Sequence, residues 1–284
     1  MLAILNSWGP KPIKPLSLRV LCIFRIWLAA AFLTTLAINA TAQDDPSHPS
    51  TPEQKALFVL KAEKAFNNAK ANFTAHPEKP EAAWKFGQAA YDWAEFATSN
   101  AQRAEIANQG IAACRALVEH DPNSAPGHYY LALNLGELAE TRKLSALKIV
   151  SEMESELKTT INLDPMLDYA GAERSIGLLY LQAPGWPASI GSNAKARQYL
   201  TKAEKLAPNY PENILNLIEA QLKWGEKSSA QHHIKTADDL WPAAQKEFTG
   251  ETWASSWLDW NARLESFRKK ASAPPRTIES PHNR

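Results

Sequence analysis

Ala196-Arg197-Gln198-Tyr199-Leu200-Thr201-Lys202-Ala203-Glu204-Lys205-Leu206-Ala207-Pro208 is answered 34 residues later by Ala230-Gln231-His232-His233-Ile234-Lys235-Thr236-Ala237-Asp238-Asp239-Leu240-Trp241-Pro242. Ala196, Leu200, Ala203 and Pro208 return as Ala230, Ile234, Ala237 and Pro242 with every spacing kept. Small alanines let one helix approach another closely, and the large apolar residue between them fills the groove. Proline has no N–H and halts a helix, so each copy predicts a close-packing helix with an exit turn at its proline. A period of this length is one helix pair, and such pairs bury their faces only by stacking on neighbours.

Working outward, four prolines act as milestones: Pro122, Pro165, Pro208 and Pro242. The last interval is the plain 34-residue repeat, and each earlier one is 43, nine residues longer. Between Pro122 and Pro165 there is no proline after Pro126 and no glycine after Gly136. The extra residues are therefore expected to lengthen the helices, with Leu147, Val150, Met153, Leu157 and Ile161 on one face. Between Pro165 and Pro208 most of the addition is Ala183-Pro184-Gly185-Trp186-Pro187-Ala188-Ser189-Ile190-Gly191. Two prolines and two glycines in nine residues predict a loop.

Upstream, Phe58, Ala62, Ala65, Phe66, Ala69 and Phe73 mark a leading helix that starts at Pro52. Helices follow through Trp84, Phe86, Ala89, Ala90, Trp93 and Phe96, and through Ile111, Cys114, Leu117 and Val118. Downstream of Pro242, Trp253, Trp257, Trp260, Leu264 and Phe267 are spaced as an apolar stripe that suits a terminal capping helix. The expected class is all-α, a solenoid of helical hairpins with a C-terminal cap.

The chain has 284 residues, 45% hydrophobic and 21% charged, with a formal net charge of +1. Residues 1–42 carry Lys11, Lys14, Arg19 and Arg25 and no acid, which leaves 27 bases against 30 acids in the remainder. No clustered basic face of the kind nucleic-acid binding needs is evident. The basic stretch ending at Arg25, the apolar run Ile26–Ile38 and Ala40-Thr41-Ala42 read as a secretory signal cleaved before Gln43. An uncleaved membrane anchor is the alternative, since Val20–Phe24 extends the apolar stretch. Division of the chain follows: signal 1–42, polar terminus and leading helix 43–80, repeats 81–268, tail 269–284. Cys22 lies in the signal, so Cys114 has no disulfide partner in the exported chain and is expected to be buried.

Residues 126–242 resemble tetratricopeptide repeats in sequence as well as period. His128-x2-Leu131-Ala132-x2-Leu135 stands where that family's first helix has W-x2-L-G-x2-Y, and Ile176-Gly177-x2-Tyr180 restores the latter part. A narrower resemblance lies in Gly177-Leu178-Leu179-Tyr180-Leu181-Gln182-Ala183-Pro184-Gly185-Trp186-Pro187, continued by Lys195-Ala196-Arg197 and Leu206-Ala207-Pro208. It is similar to the TatT family, the periplasmic component linked to TRAP transporters, over roughly residues 82–225. That resemblance implies an exported helical-repeat protein, a homo-trimer around a pore, and a solute or a solute-binding protein as partner. The chain departs from many of those relatives in having no lipoprotein box around Cys22.

The functional reading is a non-enzymatic scaffold that binds a protein partner or small ligand on its concave helix surface and the Ala183–Gly191 loop. Candidate binding residues are Tyr180, Pro184, Gly185, Trp186 and Pro187. Binding residues often ride on loops held by a rigid scaffold, although Trp186 could equally fold back and plug a gap between repeats. No cofactor is expected, and no metal, because HExxH, CxxC and spaced carboxylate motifs are missing from the sequence. His232 and His233 are adjacent and point about 100° apart on a helix. Ser192-Asn193-Ala194-Lys195 spells S-x-x-K, yet Ser192 is better placed as a helix cap. No assembled acid–base or nucleophile set appears.

Overall fold

The structure is a computed structural model that describes residues 52–142 and 146–272. The signal expected over 1–42, the polar stretch that follows it and residues 273–284 of the tail lie outside the described residues. Ten α-helices occur among those described: α1 Pro52–Ala75, α2 Pro80–Ala94, α3 Asn100–His120, α4 Ala125–Glu140, α5 Ala146–Leu163, α6 Gly171–Gln182, α7 Asn193–Leu206, α8 Pro211–Lys223, α9 Lys227–Glu247 and α10 Ala254–Ser272. A 3₁₀ turn, Glu251–Trp253, precedes α10.

Local chemistry sets most of the boundaries. Proline sits at the first turn of α2, α4 and α8, where its missing N–H would have no partner in any case. Ser99, Ser124 and Ser192 cap α3, α4 and α7 by accepting from the backbone N–H three residues on. For Ser192 that donor is Lys195 at 3.3 Å, so the first residue of the S-x-x-K string is a cap.

Helices pair as α2/α3, α4/α5, α6/α7 and α8/α9, with α1 leading and α10 closing the series. The repeated alanines Ala196, Ala203, Ala230 and Ala237 are all fully buried, as are Leu200 and, nearly so, Ile234. Gly177, at the family's glycine position, meets Leu200: a Cβ there would lie 2.8 Å from Leu200 Cγ and 3.1 Å from its backbone N. Helices α4 and α5 have 16 and 18 residues against 12 and 14 in α6 and α7, so of the two 43-residue intervals the earlier one holds its length in helix and the later one in the loop. Ala203→Leu should therefore overpack the seam and lower stability by about 1–3 kcal/mol. An unchanged thermal melt would remove Ala203 from it.

Four expectations need correction. Pro242 does not end its helix: α9 passes through it and stops only at Glu247. One i→i−4 bond is lost there, but the following turn is anchored because Ala244 is fully buried and accepts a 2.8 Å bond from the Phe248 N–H. Trp241 adds a 2.9 Å bond from its indole to Asn261 Oδ1 on α10. Trp253, expected on the capping helix, lies in the 3₁₀ turn before it, although it is buried with Trp260, Leu264 and Phe267 as the stripe required. Leu147 is 41% exposed and does not share the buried face of Val150, Met153 and Leu157. Helix α10 runs on to Ser272, beyond the boundary drawn at 268.

Candidate binding loop and buried charged seam

The Ala183–Gly191 segment is non-helical and pinned from several sides. Gly191 N–H donates to Pro184 O at 2.8 Å, Ala188 N–H to Gly185 O at 3.1 Å, and Ser192 N–H back to Tyr180 O at 2.9 Å. Gly191 is required by close approach: a Cβ would sit 2.0 Å from Ala183 O. The Trp186–Pro187 peptide is cis. Pinning the loop this way leaves Trp186 89% exposed, so it does not fold back into a gap between repeats.

Of the five candidate residues, Gly185, Trp186 and Pro187 are exposed and Pro184 is half-buried. Tyr180 is separated from them: it is 1% exposed, beneath the loop. Its hydroxyl donates to Glu154 Oε1 at 2.5 Å, its ring stacks on Tyr199 at 5.6 Å, and Lys195 Nζ lies 4.8 Å from its centroid. Burial, then the Glu154 carboxylate, holds the Tyr180 hydroxyl above the usual phenol range. Tyr180 thus fastens α6 to α5 and α7. Cys114 is fully buried, and burial pushes its thiol up to about 12, where it is inert.

A second arrangement had no counterpart in the sequence reading. The turn before α6 has three consecutive left-handed residues, Asp168, Tyr169 and Ala170, at φ +51°, +53° and +61°. L-residues enter that region at about 1–2 kcal/mol each. Arg174 holds the turn: its guanidinium donates to Asp168 Oδ2 at 2.8 Å, to Asp168 O and Tyr169 O at 3.3 Å, and to Asn213 Oδ1 at 3.0 Å. Asn213 Nδ2 also donates to Tyr169 O at 3.0 Å, and Tyr129 donates to Asp168 Oδ2 at 2.6 Å. Burial raises the Asp168 carboxyl, with Arg174 and Tyr129 opposing it. The Tyr169 ring stacks on Tyr210 at 4.6 Å and meets Phe248 edge-on at 5.3 Å.

Similar buried arginines recur at both ends of the array. Arg103 pairs with Glu137 at 2.7 Å and Glu140 at 2.6 Å. Arg263 on α10 pairs with Glu212 at 2.6 Å and binds Asn216 Oδ1 at 2.6 Å. Arg103 and Arg174 sit where consecutive helix pairs meet, and Arg263 where the closing helix meets the last pair. Charge-assisted bonds to a planar fork suit that position, because one side chain can hold several acceptors in fixed directions. The arrangement orders repeats. Among the described residues no group of His, Cys, Asp and Glu is placed to hold a metal ion, and no helix is long and apolar enough to cross a membrane.

Comparison with known proteins agrees with the architecture. Residues 54–169, less than half of the chain, match the family described as regulator of microtubule dynamics protein 1-3. No curated protein matches the chain in sequence. A thermophilic TPR protein of Thermus thermophilus, TTC0263, superposes with a TM-score of 0.56 at 20% identity, over 76% of this chain and 95% of that one. MamA gives a TM-score of 0.45 at 20% identity, over 68% of this chain and 96% of that one. At that identity the likeness to TTC0263 establishes fold alone. The chain has the helical solenoid fold of tetratricopeptide-repeat proteins.

Proposed function

We propose that this chain is an exported, non-catalytic scaffold that binds a protein partner through the Ala183–Gly191 loop, with the repeat array as its rigid support. The observation that carries this reading is Trp186: a large aromatic held 89% exposed on a hydrogen-bonded loop. Tryptophan is enriched among the few residues that dominate protein interfaces, where truncation costs about 2 kcal/mol or more. The tetratricopeptide fold supports the choice of a protein partner. Resemblance of the loop to the TatT family supports a second reading, a homo-trimer that holds or passes a solute for a TRAP transporter. Size-exclusion chromatography with light scattering separates the two, since a stable monomer argues against a pore.

The test is a pull-down from a periplasmic extract with wild-type and Trp186→Ala protein. One partner should be captured at high yield by the wild type and lost about thirtyfold or more in the variant, with both proteins melting alike. Equal capture by the variant would exclude the loop. Turnover of a substrate abolished by a single substitution would overturn the non-catalytic part.

A further inference from the structure

Helix α10 is seated on α8 by one guanidinium that faces three carboxylates. Arg263 Nη1 lies 2.6 Å from Glu212 and 3.5 Å from Asp259, and Nη2 lies 3.4 Å from Glu219. Side-chain exposures of Arg263, Glu212 and Asp259 are 9%, 4% and 3%, so water screens the group poorly. Further neighbours are shared: Trp260 Nε1 donates to Glu212 at 2.8 Å, Arg174 and Asp168 face Glu212 from the α6 side, and Lys223 and Lys270 face Glu219. From α9, Asp238 pairs with Arg268 farther along α10, where Glu265 also pairs with Arg268 and Lys269. Glu251 of the 3₁₀ turn pairs with Lys61.

Carboxylates buried side by side cannot all ionise cheaply, and such a cluster titrates as a unit. Burial, reinforced by Glu212 and Glu219 and opposed by Arg263, pushes the Asp259 carboxyl up to about 7. Burial likewise raises Glu219, whereas Arg263 overcomes burial to hold Glu212 down. Helix α10 packs chiefly on α8, α9 and the 3₁₀ turn, so releasing it leaves the contacts between the earlier helix pairs in place.

We propose that this cluster is a proton latch: it seats α10 on the last repeat while it holds a proton, and loosens α10 when that proton leaves. The surface uncovered is the apolar end face that includes Tyr210, Ile214, Ile218 and Phe248, on which Trp260 and Phe267 now pack. The sign follows from the direction of the shift. A carboxyl whose folded value lies above its ordinary 3.8 contributes full stability below that value, and loses it as pH rises toward about 7.

Hydrogen exchange of the full chain, corrected for intrinsic rates, tests the latch at pH 5.5 and pH 8. Protection within Ala254–Ser272 should fall about tenfold or more at the higher pH while α2 and α3 change little, one pKa unit being a factor of ten. Asp259→Asn, which mimics the protonated side chain, should remove the fall, and Glu219→Gln should reduce it if Asp259→Asn does not fold. Unchanged wild-type protection, an equal loss across all helices, or the same fall in Asp259→Asn would each overturn the proposal.

Discussion

Arg174→Met should lower the stability of the whole chain by about 3–5 kcal/mol, among the largest losses any single substitution produces here. The substitution keeps the length of the side chain and removes the charge. Asp168, whose side chain is 7% exposed, would then be a buried carboxylate relying on the Tyr129 hydroxyl as donor to the same oxygen. Two carbonyls in the left-handed turn would lose donors as well. Lysine should not rescue the loss, because a point charge on a flexible stem cannot reach the Asp168 carboxylate, two carbonyls and Asn213 together. Denaturant unfolding with wild-type, Arg174→Met and Arg174→Lys protein measures this. A loss below about 1 kcal/mol would show that the turn is held by its aromatic packing alone, a surface pair's worth being all the arginine then supplied.

Arg263→Met should give a loss of similar size, about 3–5 kcal/mol at neutral pH, with a dependence on pH that Arg174→Met shows less strongly. Without the guanidinium, Glu212, Glu219 and Asp259 lose the buried cation that lies 2.6, 3.4 and 3.5 Å from them. They can escape ionisation only by taking up protons, which solution supplies freely at low pH. The gap between variant and wild type should therefore narrow as pH falls from 8 to 5. A gap that stays constant across this range would mean that the loss reflects side-chain packing, including the Arg263 contact with the Phe267 ring at 5.9 Å, more than charge.

The solenoid was legible because its signals are local and periodic. Alanines four and three positions from a large apolar residue, followed by a proline, need no partner to be recognised, and the same positions are buried in the structure. Pro184, Gly185, Pro187 and Gly191 likewise announced a loop. Pro242 misled because a proline's effect depends on what lies beyond it, and Ala244 and Phe248 provide an anchor that the pattern does not show. Nor could the charged seam be read. Arg174 finds Asp168 six positions back but Asn213 39 positions ahead, and Arg263 reaches Glu212 over a separation of 51. Such pairings are created by stacking. The signal that was present is modest: Glu173-Arg174-Ser175 opens a short, largely apolar helix, in which every residue from Gly171 to Leu181 is buried. Trp186 shows the converse limit, since composition could not tell an outward from an inward indole.

Repeat arrays built only from nearest-neighbour contacts can lose their units one after another from either end. The left-handed turn at Asp168–Ala170 works against that behaviour. It draws on Tyr129 in α4, Arg174 in α6 and Asn213 in α8, with Tyr210 stacked against it. No single helix pair contains enough of these groups to keep three L-residues in that conformation. The middle of the chain is consequently a knot that forms complete or not at all, so α4 through α8 share one fate. Helices α1 and α10, at the two ends of the described array, supply none of these groups, so either can loosen without undoing the turn.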